Sequence, residues 1–442
     1  MKDTEAGQLI SASKAPELIK KLWITAGLIA VYRLGVFVPT PGVNAQELSN
    51  FLTSGANIFG LFNAFSGGAL ERFSIFALGI MPYISSSIIF SLLTVVSERL
   101  SQLQKEGDLG RKKINQYTRY GTIVLAFIQG WGIATWLESN PGGLTIVENP
   151  GLTFKLLTVL TLTAGTCFIM WLGEQITQRG IGNGSSLIIF ASIISGFPRA
   201  VYQQWEGFQS GDISGPTLFS LAVLCVAAIG FIVFFERALR KIPIHHAKRV
   251  VGRKMYGASM QFLPLKINMA GVIPPIFASS ILLFPGTIAQ FLKTRFPALS
   301  DVAVYLSPGT WPYTILDIAL IVFFAYFYTA IQFNPDDVAE NVKKSGGFVP
   351  GIRPGKNTAE YIDRVLTRLT TAGAVYIAFV CVAPFFFLNK YQVFLGGTSL
   401  LIVVGVAMNF AEQIQSHLMA QQYEGFLGGQ SKQRRFRGRQ DA

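Results

Sequence analysis

The sequence predicts an all-α polytopic membrane protein with ten transmembrane helices, and three observations lead to this fold class. Half of the 442 residues are hydrophobic and only 14% are charged, whereas a soluble domain usually carries about 25% charged residues. Long uncharged runs recur along the chain, and the Lys and Arg residues between them are concentrated on one side. A soluble globular domain is therefore excluded.

Nine uncharged runs are close to the roughly 20 residues that an apolar helix needs to cross the hydrocarbon layer. A tenth, from Leu22 to about Val38, is apolar except for Arg33 and forms span 1. The polar N-terminus before Leu22 lacks the small-residue cleavage site of a signal peptide, so we expect span 1 to be retained. Spans 2 to 10 are 73–97, 120–137, 156–173, 180–198, 213–235, 267–292, 318–335, 369–389 and 391–411.

The Lys and Arg residues predict the orientation of these spans. With ten spans both termini lie on one side, and the segments on that side hold most of the chain's 37 Lys and Arg residues. Cytoplasmic segments of membrane proteins carry such an excess, so we expect both termini to be cytoplasmic. The opposite side holds Arg72, Lys155, Arg199, Lys293, Arg295 and Lys390.

Cysteines and histidines give no sign of a metal, a cofactor or a disulfide framework. Cys167, Cys225 and Cys381 fall in three different spans, where cysteine behaves as a small apolar residue. His245 and His246 are adjacent in a basic loop without cysteines or carboxylates at ligand spacing. We expect these histidines to be solvated loop residues rather than ligands.

Two loops on the terminal side, 236–266 and 336–368, are far longer than the usual 2 to about 8 residues between helices. Both mix Arg and Lys with Tyr, Phe, Met and Leu, a composition suited to docking a macromolecule. A basic patch on the membrane surface is the alternative.

Glycine and proline interrupt corresponding spans when the ten spans are divided into two pseudo-symmetric halves of five. Span 2 contains GIMP, Gly79 to Pro82, and span 7 contains GVIPP, Gly271 to Pro275. Such pairs point to a pathway at the interface of inverted repeats. A purely structural pair of kinks remains open, since Gly and Pro are common in membrane helices. Small polar residues that allow close helix approach follow both breaks.

The spans offer little to an ion-coupled carrier or an ATPase. Coupling ions need charged groups deep in the bilayer, and Glu174, Asp317 and Glu412 are placed at or near span ends, leaving only Arg33 deep. GIRPGK, at Gly351 to Lys356, lacks the glycine spacing of a phosphate-binding loop and is followed by Asn357. Energy for transport must therefore come from a partner or from synthesis of the substrate.

The segment Leu48 to Leu70 is uncharged, yet its asparagines and glycines make it a poor lipid-facing span. Broken backbone at membrane depth is tolerated where it is buried in protein or lines a cavity. A short half-helix, about Ile58 to Ala64 and ending at Ser66-Gly67-Gly68, could fold back into the bundle. An extracytoplasmic loop with one amphipathic turn is equally compatible with the composition.

Six long blocks resemble the bacterial SecY family, the channel subunit of the general protein-secretion translocon. The similarity covers most of the chain, from about residue 20 to 425. The blocks are FNAFSGGALERFSIFALGIMPYIS, KINQYTRYGT, MWLGEQITQRGIGNG, LPLKINMAGVIPPIFASS, FNPDDVAENVKKSGGFVPGIRPG and GGTSLLIVV. The resemblance implies a plasma-membrane channel of two five-helix halves around a central pore, with a re-entrant plug helix and a lateral gate to lipid.

The resemblance also assigns the pore constriction, a ring of apolar side chains that yields to a passing chain and disfavours water and ions when empty. One member departs from the family pattern, because Ser185 stands where many relatives have isoleucine after GIGNG. The remaining members are Ile80, Ile84, Ile189, Ile276 and Ile402.

The plug and the lateral gate follow from the same resemblance. The plug is the segment 58–70, with the apolar residues Ile58, Phe59, Leu61, Phe62, Phe65 and Leu70. Spans 2, 3, 7 and 8 line the gate, and a hydrogen bond between Gln129 and Asn268, worth about 1 kcal/mol, helps to close it. The other gate residues are Ser85, Ser86, Ser87, Ser279 and Ser280.

Partners complete what the resemblance implies. The two long loops dock the ribosome and the SecA motor ATPase through Arg249, Arg253, Lys254 and Arg353. Small SecE- and SecG-type membrane subunits, signal sequences, nascent polypeptides and membrane lipids are the other partners. No cofactor or metal is implied.

The expected organisation has four parts: a cytoplasmic N-terminus 1–21, a first half 22–205, a second half 206–417 and a basic tail 418–442. The function predicted is a passive, partner-driven channel for unfolded polypeptides. A secondary transporter of a small solute, with its site at the Gly/Pro breaks, is the alternative. An intramembrane enzyme is disfavoured, because the spans offer no paired aspartates, HExxH motif or clear Ser/His pairing.

Overall fold

The computed structural model describes most of the chain, and the described part is largely helical. The described residues are 16–53, 62–63, 65–139, 146–211, 213–246, 249–251, 254–256, 260–292, 305, 310–388 and 396–437. The helices are α1 (Pro16–Gly35), α2 (Ala45–Thr53), α3 (Met81–Val96), α4 (Glu98–Lys105), α5 (Asp108–Glu138), α6 (Leu152–Arg179), α7 (Gly184–Gln209), α8 (Gly215–Arg237), α9 (Ile273–Leu292), α10 (Trp311–Gln332), α11 (Pro335–Lys344), α12 (Lys356–Leu388) and α13 (Gly397–Arg437). The strands are β1 (Leu239–His246), β2 (Arg249–Val251), β3 (Lys254–Tyr256), β4 (Met260–Lys266) and β5 (Gly347–Phe348).

Each of the ten predicted spans overlaps a helix, namely α1, α3, α5, α6, α7, α8, α9, α10, α12 and α13. Within the described ranges, seven helices are long and apolar enough to cross a membrane. The number is eight if α3 and α4, which meet at 98°, form one bent span. The chain is thus a multi-pass membrane protein, and the full count of ten stays a prediction.

The helix of span 2 begins later than the sequence predicted. Turns occupy the start of the run 73–97, and α3 begins only at Met81, with Pro82 in its first turn. Proline is favoured there because its missing N–H would have no partner in the helix. The backbone of Phe73 has a φ of 44°, a left-handed conformation that a continuous helix does not contain.

The chain divides into two compact units. The first comprises 1–196 with 406–442, and the second comprises 197–405. In the first unit α1 and α5 pack on α6, and α3 packs on α5. In the second unit α10 packs on both α9 and α12, and α12 also contacts α8. Both boundaries lie inside helices, α7 and α13.

The long loops 236–266 and 336–368 fold together within the second unit. Strand β1 pairs antiparallel with β4 on one side and with β5, from the other loop, on the second side. Ile242, Leu265 and Val349 form its buried core. The sequence analysis predicted loops for both segments, and the strands correct that prediction. The alternation of buried Ile242 and Ile244 in β1 is a strand pattern.

All three acidic residues that the sequence placed at or near span ends lie inside helices, with Glu174 close to the end of α6. Asp317 is in the second turn of α10 and is buried, and Glu412 lies well within α13. Asp317 therefore lies close to the start of α10, as expected of a residue near a span end.

Candidate functional site

Spans 2 and 7 begin with the same backbone break. The φ angle is +58° at Gly79 and +62° at Gly271, in the left-handed region that only glycine adopts at little cost. Helix α3 or α9 begins two residues after the glycine in each case. The paired breaks predicted from GIMP and GVIPP are therefore confirmed, one in each unit.

A second pair of glycines lets a neighbouring helix pack closely against the backbone of each break. A Cβ on Gly165 of α6 would overlap the carbonyl oxygen of Ile75, four residues before Gly79. A Cβ on Gly373 of α12 would lie 2.8 Å from the carbonyl oxygen of Ile267, four residues before Gly271. Each unit thus holds its break by close approach of a helix backbone, which supports an internal repeat.

The residues of the predicted pore ring are placed separately in the two units. The five isoleucines are all buried. Ser185 is half-buried, and its backbone N–H and hydroxyl both donate to Asn183 Oδ1, at 3.2 and 2.7 Å. The first unit contains Ile80, Ile84, Ser185 and Ile189, and the second contains Ile276 and Ile402. A ring formed by all six stays a prediction.

The described part of the predicted plug is folded into the first unit. Residues 62–63 and 65–66 are helical, and Gly67 and Gly68 follow with φ angles of +69° and +83°. The half-helix was predicted to end at these glycines, and the described residues agree. Phe62, Phe65 and Leu70 are buried, whereas Ile58, Phe59 and Leu61 lie outside the described residues.

A polar network fixes the end of this segment. The backbone N–H of Glu71 donates to Asn63 Oδ1 at 3.1 Å, and Ser49 Oγ donates to Glu71 Oε1 at 2.9 Å. Ser66 Oγ donates to Asn63 O at 3.1 Å. Since buried polar groups are costly unless hydrogen-bonded, these contacts favour one conformation of the segment.

Ser66 and Gly67 lie against the break of span 2 and against α7. The Cβ of an alanine at Gly79 would be 3.5 Å from Ser66, and one at Gly67 would be 3.0 Å from Ser192 Cα. Arg33 Nη1 donates to Gly67 O at 3.1 Å. Ser66 and Gly67 therefore contact the break just before α3 and the helix α7, and these two helices carry Ile84 and Ile189.

The serines of the predicted lateral gate differ in what they bond. Ser86 Oγ donates across to Thr118 O of α5 at 2.7 Å. Ser279 and Ser280 both donate to Ile276 O within α9, at 3.1 and 2.7 Å. Ser85 is buried and Ser87 half-buried. Ser86 therefore links α3 to a second helix, whereas the two serines of α9 bond their own helix.

Gln129 lies in the first unit and Asn268 in the second, so the hydrogen bond predicted between them stays a prediction. Gln129 Oε1 is buried and accepts no hydrogen bond from a described residue. Asn268 Nδ2 donates to Glu236 Oε1 at 2.7 Å and to Gly271 O at 3.0 Å. Asn268 therefore fixes the second break, a role that the sequence did not predict.

Three of the four predicted docking residues lie in the described parts of the two long loops. Arg249 and Lys254 belong to the β2–β3 hairpin, whose middle pair is Val250 and Met255. Arg353 is exposed just after β5. Arg253 lies outside the described residues. His245 and His246 are half-buried in β1 opposite Phe348 and Gly347. The prediction that they lie in a loop is therefore wrong, and the prediction that they are not ligands stays a prediction.

Sequence reasoning missed Tyr32, Ser192 and Glu236. Tyr32 is buried, and its Oη lies 2.7 Å from Ser192 Oγ and 3.1 Å from Ser66 O. Glu236 was assigned to the edge of a loop but is buried beside Asn268. Their partners are 32 or more residues away in sequence, and no local pattern identifies such pairs.

Comparison with known proteins gives the same picture from sequence and from fold. The SecY family matches residues 74–411. The protein translocase subunit SecY of Vibrio cholerae is 53% identical over 419 residues, covering 93% of this chain and 94% of the relative.

Two solved structures share the fold at low sequence identity. One is a protein conducting channel, with a TM-score of 0.70, 17% identity, and coverage of 90% of this chain and 92% of that chain. The other is Sec61 in the canine ribosome-channel complex from the endoplasmic reticulum, with a TM-score of 0.65, 16% identity and the same coverage. With the extent of the family match and the identity to the Vibrio relative, the fold leads to one conclusion: this chain belongs to the SecY family.

Proposed function

We propose that this chain is a protein-conducting channel. It passes unfolded secretory polypeptides across the bacterial plasma membrane and releases hydrophobic segments sideways into lipid. Family membership supports a channel subunit rather than an enzyme. It also disfavours the secondary transporter of a small solute that the sequence left open.

The observation that carries the proposal is the fold of residues 62–63 and 65–70. Phe62, Phe65 and Leu70 are buried within the first unit, and Ser66 and Gly67 contact the break before α3 and the helix α7. Both α3 and α7 carry predicted ring residues. A simple extracytoplasmic loop would not bury Phe62 and Phe65 there. A plug that closes a pore at rest accounts for the placement, because it must lie next to the constriction that it seals.

The constriction itself is proposed to be formed by Ser185 and the five buried isoleucines. An apolar bore disfavours water and ions when empty, and branched side chains can shift around any passing sequence. Ser185 Oγ is already bonded to Asn183 Oδ1. Its hydroxyl is therefore less available to hold water in the pore, which reduces the cost of a serine at this position.

The lateral gate is proposed to lie along spans 2, 3, 7 and 8. Small polar side chains on α3 and α9 allow helices to approach closely and to separate without loss of a large apolar contact. Ser279 and Ser280 satisfy their hydroxyls within α9. They therefore remain hydrogen-bonded whether the gate is closed or open.

The energy source is proposed to be a partner docked on the two long loops, 236–266 and 336–368. Sec61 is described in a ribosome-channel complex, and we propose that this chain likewise binds the ribosome and a SecA-type motor through Arg249, Arg253, Lys254 and Arg353. Basic side chains there would contact phosphates or acidic groups through charge. SecE- and SecG-type subunits would share the membrane with it, both termini being cytoplasmic.

Translocation by the purified complex tests the proposal. The chain is reconstituted in vesicles with its SecE- and SecG-type subunits, and a secretory precursor, the motor and ATP are added outside. We expect precursor that is protected from added protease until detergent opens the vesicles.

Vesicles that contain the Arg353→Ala variant test the docking site, and vesicles with the wild-type chain are the control. The exposed side chain of Arg353 is proposed to serve docking but not the fold. The variant vesicles should protect several-fold less precursor with the same amount of inserted complex. Uptake of small solutes without any protected precursor would contradict the channel and favour the transporter.

A further inference from the structure

Ser66 and Gly67, here called the plug end, touch α1 and α7. Three contacts between oxygen atoms meet there. Tyr32 Oη lies 3.1 Å from Ser66 O and 2.7 Å from Ser192 Oγ. Ser192 Oγ lies 2.8 Å from Ile188 O, one turn earlier in α7. Tyr32, Ser66 and Ser192 are each only 1% exposed, so water does not supply alternative partners in this state.

Two hydroxyl protons must serve these three contacts, since tyrosine and serine each donate once. In one arrangement Tyr32 donates to Ser66 O, and Ser192 donates to Tyr32 Oη. In the other arrangement Tyr32 donates to Ser192 Oγ, and Ser192 donates to Ile188 O. If both protons pointed outward, the two hydroxyl oxygens would face each other at 2.7 Å without a proton between them.

We propose that Tyr32 and Ser192 form a two-position hydroxyl switch that holds the plug end when the channel is closed and keeps both hydroxyls bonded when the plug leaves. The first arrangement serves the closed state. The second needs nothing from the plug, so Tyr32 is not left buried and unpaired after opening. This inference rests on the proposed function of residues 58–70 as a plug.

The backbone around the switch fits this role. Gly67 has a φ of +69°, and a Cβ there would lie 3.0 Å from both Ser192 Cα and Arg33 Nη1. The plug end therefore rests directly on α7. Ser192 is three residues from Ile189, so the switch joins the plug to the helix that carries a predicted ring residue.

The switch predicts opposite effects for its two members. Tyr32→Phe removes the donor to Ser66 O in the closed state, so opening becomes easier. Ser192→Ala leaves that donor in place but removes the acceptor that Tyr32 needs once the plug has left. Opening then strands a buried hydroxyl and becomes harder. A merely structural cluster would loosen in both variants.

The test measures export, by the complete complex in cells, of a precursor whose weakened signal sequence gives intermediate export with the wild-type chain. We expect Tyr32→Phe to raise the export rate, and Ser192→Ala to lower it, each roughly three- to tenfold. The double variant should match Tyr32→Phe, because Ser192 has no hydroxyl to serve once Tyr32 has none.

Tyr376→Phe is the matched control, since Tyr376 is also buried but its hydroxyl bonds no described residue. It should leave export unchanged. Shifts of Tyr32→Phe and Ser192→Ala in the same direction, or no shift with normal amounts of complex, would overturn the switch. Deletion of residues 58–65 distinguishes failure of the switch from failure of the proposed plug function. If the deletion fails to raise export of the precursor with the weakened signal sequence, the plug itself is disproved.

Discussion

The two glycine breaks have the same backbone conformation but differ in the side chains that surround them. Gly79 and Gly271 have φ angles within a few degrees, and each break is held by a glycine of another helix. At equivalent positions, three residues before each glycine, the first unit has Phe76 and the second has Asn268. Phe76 stacks on Tyr32 and Phe168, at 5.8 and 6.0 Å between ring centroids.

Asn268 instead bonds a buried carboxylate and the backbone of its own break. The first break is thus supported by aromatic packing beside the proposed plug, and the second by a polar anchor. One backbone turn can therefore be stabilised by different chemistry in the two halves.

The largest effect is expected from Gly165→Ala, because the new methyl would overlap Ile75 O. A backbone shift of that kind costs about 3 kcal/mol. Gly373→Ala should cost only about 1 kcal/mol, since Ile267 O lies 2.8 Å away. Thermal unfolding of the purified complex measures both. Gly130→Ala, with its nearest atom at 3.6 Å, is the control, and equal midpoints for all three would refute the close packing against the breaks.

Asn268→Ala should come next, at about 2 kcal/mol, because it removes a donor from the buried carboxylate of Glu236. The cost should appear as a lower unfolding midpoint of the complex. The exposed Asn115 on α5 provides a control, since its replacement by alanine should change stability by less than about 0.5 kcal/mol. An unchanged midpoint for Asn268→Ala would show that the second break has no polar anchor.

Gly79→Ala and Gly271→Ala should each cost about 1 kcal/mol, because a left-handed φ strains any residue with a Cβ. Neither new methyl meets an atom closer than 3.5 Å, so strain is the main cost. The unfolding midpoints of the two variants should therefore fall by similar amounts. Gly196→Ala, where the new methyl would lie in open space on α7, should not lower the midpoint. A large difference between the two would break the equivalence of the halves.

Ser86→Ala should have the smallest effect, about 0.6 kcal/mol, from loss of the bond to Thr118 O on α5. Ser280→Ala should cost still less, because Ser280 bonds its own helix. Midpoints determined side by side would show the difference. A greater loss for Ser280→Ala would mean that the serines of α9 have partners beyond α9.

Local patterns predicted a large part of this fold. The uncharged runs located the helices, and the Gly and Pro residues of GIMP and GVIPP located both breaks, because these residues constrain the backbone directly. The start of α3 was placed too early, since hydrophobicity alone does not distinguish a helix from apolar turns. The strand β1 could have been recognised from the alternating Ile242 and Ile244.

Pairs of residues distant in sequence could not be predicted. Tyr32 and Ser192 are 160 positions apart, and Asn268 and Glu236 are 32 apart. Each residue alone is ordinary for a membrane helix. Only tertiary packing brings the partners together, and it also brings β5 to β1 from a separate loop. These contacts hold the end of the proposed plug and the second break.

Photo-crosslinking from Ile84 and Ile276 tests the central claim, that the equivalent breaks of the two halves line one path for a polypeptide. Both residues lie five positions after the break glycine. A radiolabelled secretory precursor is stalled partway across membranes that contain either variant, and Phe234, exposed on α8, serves as the control position. We predict adducts from Ile84 and from Ile276 but none from Phe234. No adduct from either isoleucine, with the precursor shown to span the membrane, would contradict the shared path.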